Sequence, residues 1–333
     1  GCTNVWLNPY ADYVEVEVGG ERWVVSRRCA EKLREQRNDV KASKPISAAD
    51  FQGRRCVEPL TGAEVLILPA TLVNPKVATG VVYSVPAHAP YDLAGLGDLK
   101  RKPQVLAAYG VDVAEVQSIQ PISLIRVEGF GDFPAAQVNE QLGVVDQSDP
   151  KLEEATKIVY SKEFHGGVTK EICGEFAGLS VAEARDAVKR RLIEVGLGDT
   201  MFELPERVVC RSGDECVVKV LRDQWFLDYS NPDWKARVKD HLATMNIYPE
   251  EARSWFLNVV DWYREWPCAR KTGLGTPLPW DKSWNVETLS DSTVYNAFYT
   301  MSKFVNAGLV PVEGLVPEVF DYVFLGRGSV KEA

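Results

Sequence analysis

The segment at residues 78–96, A-T-G-V-V-Y-S-V-P-A-H-A-P-Y-D-L-A-G-L, decides how this part of the chain folds. Gly80 allows a tight entry turn, because glycine adopts backbone angles that other residues avoid. The run V-V-Y-S-V at 81–85 is rich in β-branched residues and predicts a strand. Pro86 and Pro90 lack a backbone donor, so the chain must leave the hydrogen-bond ladder after that strand. The pattern therefore predicts a strand, a proline-bounded turn and a short helix.

The predicted turn brings three chemically useful side chains together, His88, Tyr91 and Asp92. Such a cluster at the end of an apolar strand predicts a small-ligand pocket. A carboxylate in the first turn of a helix most often caps free backbone N–H groups, and the local pattern favours that structural role for Asp92. A binding role for Asp92 rests on a wider comparison of motifs.

Four blocks of sequence carry such a comparison. The stretch T-G-V-V-Y-S-V-P-A-H-A-P-Y-D at 79–92 resembles the editing-site motif of archaeal and eukaryotic-type leucyl-tRNA synthetases. Three further blocks resemble successive segments of that family, in the family's order. They are D-Q-W-F-L-D-Y-S-N-P-D-W at 223–234, C-A-R-K-T-G-L-G-T-P-L-P-W-D at 268–281 and E-T-L-S-D-S-T-V-Y-N-A-F-Y at 287–299.

The resemblance implies a fold of the α/β class with two parts. A mixed, β-barrel-like editing domain would be inserted in a Rossmann-type class I synthetase catalytic domain that is only partly present. The sequence pattern agrees with two parts. Short predicted strands broken by Gly and Pro are followed, from about 208–221 onward, by predicted helices and aromatic segments. We therefore expect an editing (connective polypeptide) domain at 1–209 and a returning part of the catalytic domain at 210–333.

The resemblance also predicts which family segments lie outside the chain. A threonine-rich strand of the type T-x-R-P-E-T is expected before T-N-V-W, but only Gly1 and Cys2 precede Thr3. We expect the first strand of the editing domain to be missing. The H-I-G-H and K-M-S-K-S blocks would lie before Gly1 and beyond Ala333. ATP and Mg²⁺ would serve the complete protein, and the editing reaction would need no cofactor.

Local signals predict several other elements. The strands V-E-V-E-V at 14–18 and R-W-V-V-S at 22–26 should form a hairpin that turns at the two glycines of 19–20. Ser180 followed by Glu183 predicts a capping box. Further strands are expected at 64–69, 79–85 and 122–127, and helices at 30–37, 150–162, 180–195, 249–263 and 293–305.

Two residues of the editing motif are candidates for the reaction itself. Asp92 matches the family's editing aspartate, whose implied role is to hold the charged α-amino group of the mischarged amino acid by a charge-assisted hydrogen bond. His88 stands on the same motif. A structural turn histidine and a catalytic histidine are equally compatible with its position.

The rest of the motif supplies candidate substrate-binding residues. Alternation along 81–85 predicts that Tyr83 and Val85 share one face, toward the substrate side chain. Tyr91 belongs to the same group. Thr79 and Gly80 are expected to let the backbone approach the terminal adenosine.

In the second part of the chain, S-D-S-T resembles a family segment that enters the aminoacylation pocket. Asp291 and Tyr295 are candidates there, and Ser290 is expected to cap the helix. The tryptophans of this part are expected to form core more often than a base-stacking platform. They are Trp225, Trp234, Trp255, Trp262, Trp266, Trp280 and Trp284.

The cysteine spacing bears on redox state and metal binding. The seven cysteines are scattered through 333 residues, which favours reduced thiols. Cys210 and Cys216 would need Cys173 or His165 to complete a zinc site, and the short C-x2-C spacing is missing. We expect no bound metal.

Net charge and hydropathy bear on the partners and the location. The net charge of −9 argues against nonspecific coating of nucleic acid, yet a local basic face remains compatible with tRNA. No apolar run in the sequence reaches membrane-spanning length, so a cytoplasmic location is the default expectation.

The sequence therefore predicts a segment of a leucine–tRNA ligase. The complete protein would leucylate tRNA(Leu) with ATP, and the part present would hydrolyse tRNA(Leu) that carries isoleucine, methionine or norvaline. Missing catalytic segments would lie in the same or a separate chain. Two alternatives stay open, a docking subunit of a split synthetase that carries out no chemistry, and a relative of the isoleucyl or valyl enzymes.

Overall fold

The computed structural model describes residues 1–329, which form two compact units divided between Val220 and Leu221. The sequence placed the domain boundary at 209/210. The identity of each unit as an editing or a catalytic domain stays a prediction.

The first unit combines short strands with helices. Its strands are β1 Asn4–Leu7, β2 Tyr13–Val18, β3 Glu21–Ser26, β4 Val40–Ile46, β5 Arg55–Val57, β6 Glu64–Pro69, β7 Val81–Ser84, β8 Ile125–Arg126 and β9 Val168–Thr169. Its helices are α1 Arg27–Gln36, α2 Pro90–Arg101, α3 Pro103–Ala108, α4 Val113–Ser118, α5 Pro134–Leu142, α6 Lys151–Gly166 and α7 Val181–Glu194.

The strands form separate sheets. One has the order β5-β6-β1-β7, with β1 parallel to β6 and antiparallel to β7. Another has the order β3-β2-β4, and β8 pairs with β9. The α/β class is confirmed, but the described residues contain no closed barrel, in contrast to the barrel-like expectation. Pro86 and Pro90 lead the chain from β7 into α2 instead of another strand, so β7 remains an edge.

Local sequence signals account for the elements that matched expectation. The hairpin of β2 and β3 turns at Gly19 and Gly20, whose φ angles of 60° and 91° suit glycine. Helix α7 carries the expected capping box between Ser180 and Glu183. The core beneath α2, α3 and α4 is built around fully buried Trp6 of β1. The sheet and these helices therefore share one apolar layer.

The second unit is mainly helical. Its strands are β10 Phe226–Leu227, β11 Trp266–Pro267, β12 Ala269–Arg270 and β13 Asn285–Val286, paired as β10–β11 and β12–β13. Its helices are α8 Pro232–Thr244, α9 Ala252–Trp262, α10 Thr288–Asn306 and α11 Pro317–Leu325.

Two expectations for the second unit are wrong. Trp284 is buried, but Trp255 and Trp262 are each 73% exposed and Trp280 is 65% exposed, so these three are not core within the unit. Strands of two residues are too short to cover them. Helix α10 begins at Thr288 rather than near residue 293.

The cap of α10 also differs from expectation. The side chain of Glu287 accepts the backbone N–H groups of Leu289 and Ser290, whereas Ser290 was expected to be the cap. A residue that donates its own backbone N–H to the cap already lies inside the first turn.

Within residues 1–329, none of the helices is long and apolar enough to cross a membrane.

Substitution of Gly80 tests the turn that leads into β7. Gly80 has a φ of +70°, and an added Cβ would lie 2.7 Å from Ser26 Cβ. Gly20 has a φ of +91° with nothing within 4 Å of an added Cβ. We expect Gly80→Ala to lower the free energy of unfolding by about 2–3 kcal/mol and Gly20→Ala by about 1 kcal/mol, since only the first adds a clash to the strain. Urea denaturation measures both, and equal losses would contradict the argument.

Candidate functional site

The turn after β7 positions the motif residues on the first turn of α2. In the register of β7 and β1, Ser84 lies opposite Asn4 and Val82 opposite Trp6. The Val85 carbonyl then accepts the backbone N–H groups of His88 and Ala89 at 2.9 and 3.0 Å. This compact turn ends at Pro90, where α2 begins, and it places Asp92 directly beside the sheet.

Asp92 is a buried carboxylate held from two sides. The residue is only 5% exposed. The indole Nε1–H of Trp6 donates to Oδ1 at 3.0 Å, and the backbone N–H of Val85 donates to Oδ2 at 2.8 Å. Ala89 is the N-cap of α2 and makes no side-chain capping bond. Asp92 therefore does not cap its helix, contrary to what the local pattern favoured.

These surroundings set the charge of Asp92. Burial raises the pKa of the carboxyl to about 6, and the hydrogen bonds from Val85 and Trp6 act in the opposite direction because they favour the ionised form. At neutral pH most of the carboxyl is ionised. A buried anion with unused lone pairs is suited to hold a cationic group.

His88 is part of a second buried network. Its Nδ1 lies 2.6 Å from Glu163 Oε1, and the backbone N–H of Leu124 donates to Nε2 at 2.8 Å. A backbone N–H can only donate, so Nε2 accepts and the neutral ring carries its proton on Nδ1, toward Glu163. Both ring nitrogens are thus occupied by the chain itself. This geometry favours the structural role of His88, and its catalytic role stays a prediction.

Helix α6 contributes site residues that sequence reasoning missed. Glu163 is buried against His88. Tyr160 lies one turn earlier, and its pKa is raised to about 12 by burial and then by the charges of Asp92 and Tyr83, with a smaller effect of Glu163. The signal that the sequence offered was the i, i+3 spacing of Tyr160 and Glu163, which places both side chains on one face of the helix.

The remaining motif residues differ in exposure. Tyr83 is 67% exposed, Val85 and Tyr91 are half-buried, and Thr79 is exposed. Gly80 is buried, and its carbonyl accepts the Tyr13 hydroxyl at 2.6 Å. Strand β7 ends at Ser84, so the expected alternation of Tyr83 and Val85 does not extend through a continuous strand.

An apolar groove borders the exposed edge of the motif. It has a volume of about 740 Å³, and Tyr83 is the motif residue in its wall. Leu124, Ile125 and Phe176 add apolar surface. Arg185 and Lys189 of α7 add positive charge, and Glu175 and Asp199 add negative charge. The size and the mixed lining suit a small organic ligand.

Asp291 and Tyr295 lie in the second unit, on α10. Thr276 Oγ1 donates to Asp291 Oδ1 at 3.2 Å, and Tyr295 is 56% exposed with its ring 5.8 Å from that of Tyr299. Among residues 1–329, no group of three or more His, Cys, Asp or Glu side chains is placed to hold a metal ion.

Comparison with known proteins gives sequence relatives along the whole chain. The chain is 47% identical to the leucine–tRNA ligase of Archaeoglobus fulgidus over 332 residues, which cover 99% of this chain and 35% of the relative. It is 49% identical to the leucine–tRNA ligase of Methanopyrus kandleri over 334 residues, with 100% and 35% coverage. No family model matches the chain.

Solved structures agree with these relatives. The crystal structure of GlLeuRS-CP1 is 27% identical with a TM-score of 0.55, covering 61% of this chain and 79% of that chain. The Plasmodium falciparum (P. falciparum) cytosolic leucyl-tRNA synthetase editing domain shares the fold at 19% identity, with a TM-score of 0.55 and coverage of 61% and 75%.

About three fifths of the chain thus shares the fold of aminoacyl-tRNA synthetase editing domains. The chain belongs to the leucine–tRNA ligase family and spans about a third of the length of the curated relatives it matches, 35% in each of the two cases above. The recognition from four sequence blocks is confirmed, and the isoleucyl or valyl alternative has no support among these relatives.

The raised pKa of Asp92 makes stability depend on pH. Between the unfolded pKa of about 3.9 and the folded value of about 6 the folded state retains a proton that the unfolded state has lost. The contribution of this group is therefore full below about pH 4 and is lost as pH rises through about 6. Relative to Asp92→Asn, which cannot titrate, we expect the wild type to lose about 2–3 kcal/mol of unfolding free energy from pH 4 to pH 7. If the difference in unfolding free energy between the wild type and Asp92→Asn is the same at pH 4 and at pH 7, this prediction is wrong.

The buried pair of His88 and Glu163 predicts an effect on stability. His88→Ala would leave the Glu163 carboxyl buried without its partner, and we expect a loss of about 3 kcal/mol in the free energy of unfolding. His165→Ala is the control, since His165 is exposed on α6, the helix that carries Glu163. Its effect should stay within about 0.5 kcal/mol. Chemical denaturation of both variants measures the difference.

Proposed function

We propose that the first unit hydrolyses the ester between a noncognate amino acid and the terminal adenosine of tRNA(Leu). Water adds to the ester carbonyl carbon, the ester C–O bond breaks, and a free amino acid and a ribose hydroxyl are released. The observation that carries this proposal is the buried, two-sided hydrogen bonding of Asp92 within the motif that resembles the family's editing site. Membership of the leucine–tRNA ligase family supports it.

The chemistry of an aminoacyl ester fits these surroundings. Its α-amino group is cationic at neutral pH, and Asp92 offers a positioned carboxylate for it. A groove with apolar walls would take an amino acid side chain, and Arg185 and Lys189 in its wall are candidates for contacts with the phosphates of the RNA. Tyr83 borders this groove, and Thr79, Gly80, Val85 and Tyr91 remain candidates for contacts with the substrate.

A second hydrolytic site answers a physical limit of the synthetic one. An apolar pocket distinguishes side chains that differ by one methylene by only about 1–3 kcal/mol. Isoleucine, methionine and norvaline are close to leucine in size and are the expected substrates for removal. We propose that the complete protein leucylates tRNA(Leu) with ATP and Mg²⁺ in the cytoplasm, and that Asp291 and Tyr295 contribute to the aminoacylation site.

The second unit supports a further role in assembly. Helix α9 exposes Trp255, Phe256 and Trp262, and large apolar side chains clustered at a surface are typical of an interaction site. We propose that this surface packs against other segments of the ligase. A docking subunit without chemistry shares this feature, so hydrolysis by the first unit separates the two alternatives.

The test places this chain in the corresponding segment of the Archaeoglobus fulgidus ligase, to which it is 47% identical. Leucylation by the chimera shows that it folds. We expect the chimera to release isoleucine or norvaline from mischarged tRNA(Leu), and Asp92→Ala to slow this release roughly tenfold to a hundredfold because a charge-assisted hydrogen bond is lost. Asp132→Ala is the control, since that carboxylate is 74% exposed. Full hydrolysis by Asp92→Ala, or none by the unsubstituted chimera, would overturn the proposal.

A further inference from the structure

The position of Asp92 depends on a residue far away in the sequence. Trp6 is fully buried in the sheet, and its indole N–H reaches Asp92 Oδ1 at 3.0 Å across a separation of 86 residues. The other carboxylate oxygen is held by the backbone N–H of Val85, which no substitution other than proline removes. Trp6 is thus the residue whose substitution can remove a hydrogen bond from this carboxylate.

Close packing of α2 on the sheet makes the contact with Trp6 feasible. A Cβ at Gly95 would lie 3.6 Å from Trp6 Cζ2, at van der Waals contact, so the backbone of α2 lies close over the indole ring at this position. Asp92 lies three residues before Gly95, on the same face of the helix. The approach that brings Gly95 over the indole ring therefore also brings Asp92 within reach of the indole N–H.

We propose that Trp6 is a positioning residue for the editing reaction: its indole N–H fixes the rotation of the Asp92 carboxylate and keeps it ionised, so that the unused lone pairs face the substrate ammonium group. This inference rests on the proposed function. Two donors from different elements define the plane of a carboxylate, whereas one donor leaves it free to rotate. Without the indole N–H, burial would act against a single hydrogen bond and favour the protonated form further.

The groups around Asp92 allow its titration to be interpreted. From α6, Tyr160 and Glu163 face this region, and Glu163 is paired with His88. Tyr160 stays protonated because its pKa is about 12. The phenol of Tyr83 on β7 also raises the pKa of Tyr160. Burial, Val85 and Trp6 are the influences that set the pKa of Asp92.

Two variants of Trp6 remove the N–H group with different effects on shape. Trp6→Phe deletes it together with part of the ring, and 3-benzothienylalanine at position 6 replaces the N–H by sulfur in a ring of nearly the same size. Trp23→Phe is the matched control, because the Trp23 indole N–H donates to the Glu21 carboxylate at 2.9 Å on the exposed surface. The isosteric variant keeps the core packed and separates positioning from stability.

The first measurement is a ¹³C NMR titration of the Asp92 carboxyl carbon in the chain itself, which needs no activity. Loss of the indole hydrogen bond should raise the pKa of Asp92 by about one unit in both Trp6 variants. In the chimera, the acidic limb of the pH–rate profile for ester hydrolysis should move upward by the same amount. The rate should fall at every pH because the carboxylate is then free to rotate, and it should fall roughly fivefold further at pH 6 than at pH 8 because more of the carboxyl is protonated there.

The outcomes distinguish this inference from the proposed function. An unchanged Asp92 titration and pH profile in the isosteric variant, with Asp92→Ala inactive, would overturn the role of Trp6 and leave the editing function standing. A rate that falls by the same factor at pH 6 and at pH 8 would show that the indole N–H does not keep Asp92 ionised and would also overturn the inference. Full activity of Asp92→Ala would instead remove the proposed function, whatever the titration shows.

Discussion

The arrangement of the site depends on one buried carboxylate that is held by donors from two parts of a sheet. Asp92 accepts the indole N–H of Trp6 in β1 and the backbone N–H of Val85 just after β7. An isolated ionised carboxylate in such a place would be strongly disfavoured, and hydrogen bonds to both oxygens offset part of that desolvation. The pKa of Asp92 nevertheless remains raised to about 6, so the protonation of this carboxylate responds to the charge of any group that binds it.

A second buried network ties the same turn to a different layer. His88 connects the turn to Glu163 of α6 on one side and to the backbone of Leu124 on the other. These bonds use both nitrogens, so the turn that leads into α2 is anchored to α6 and to the segment before β8, while Asp92 is hydrogen-bonded to Trp6 of the sheet. Tyr83 and Leu124, whose backbone N–H donates to His88, both line the exposed groove. Rigid support beneath an open groove is a suitable arrangement for binding a charged ester.

Elements with strong local signals were predictable from the sequence. The β2–β3 hairpin follows from two glycines between alternating strands, β6 coincides with the expected 64–69, and α7 follows from its capping box. The described residues contain no closed barrel, and Trp255, Trp262 and Trp280 are exposed although core positions were expected, because sheet closure and burial depend on how elements pack together. The start of α10 was misjudged because Glu287 rather than Ser290 satisfies its free N–H groups.

The sequence by itself determined the family, the order of its motifs and the presence of a carboxylate at position 92 on the first turn of a helix. Those features are written in residues that lie next to each other along the chain. Only the tertiary structure decided what that carboxylate touches, since Trp6 lies 86 residues away, and Glu163 lies 75 residues from His88. Local pattern favoured a helix cap for Asp92 because capping is a short-range interaction, whereas burial beneath the sheet supplied donors that no local pattern contains.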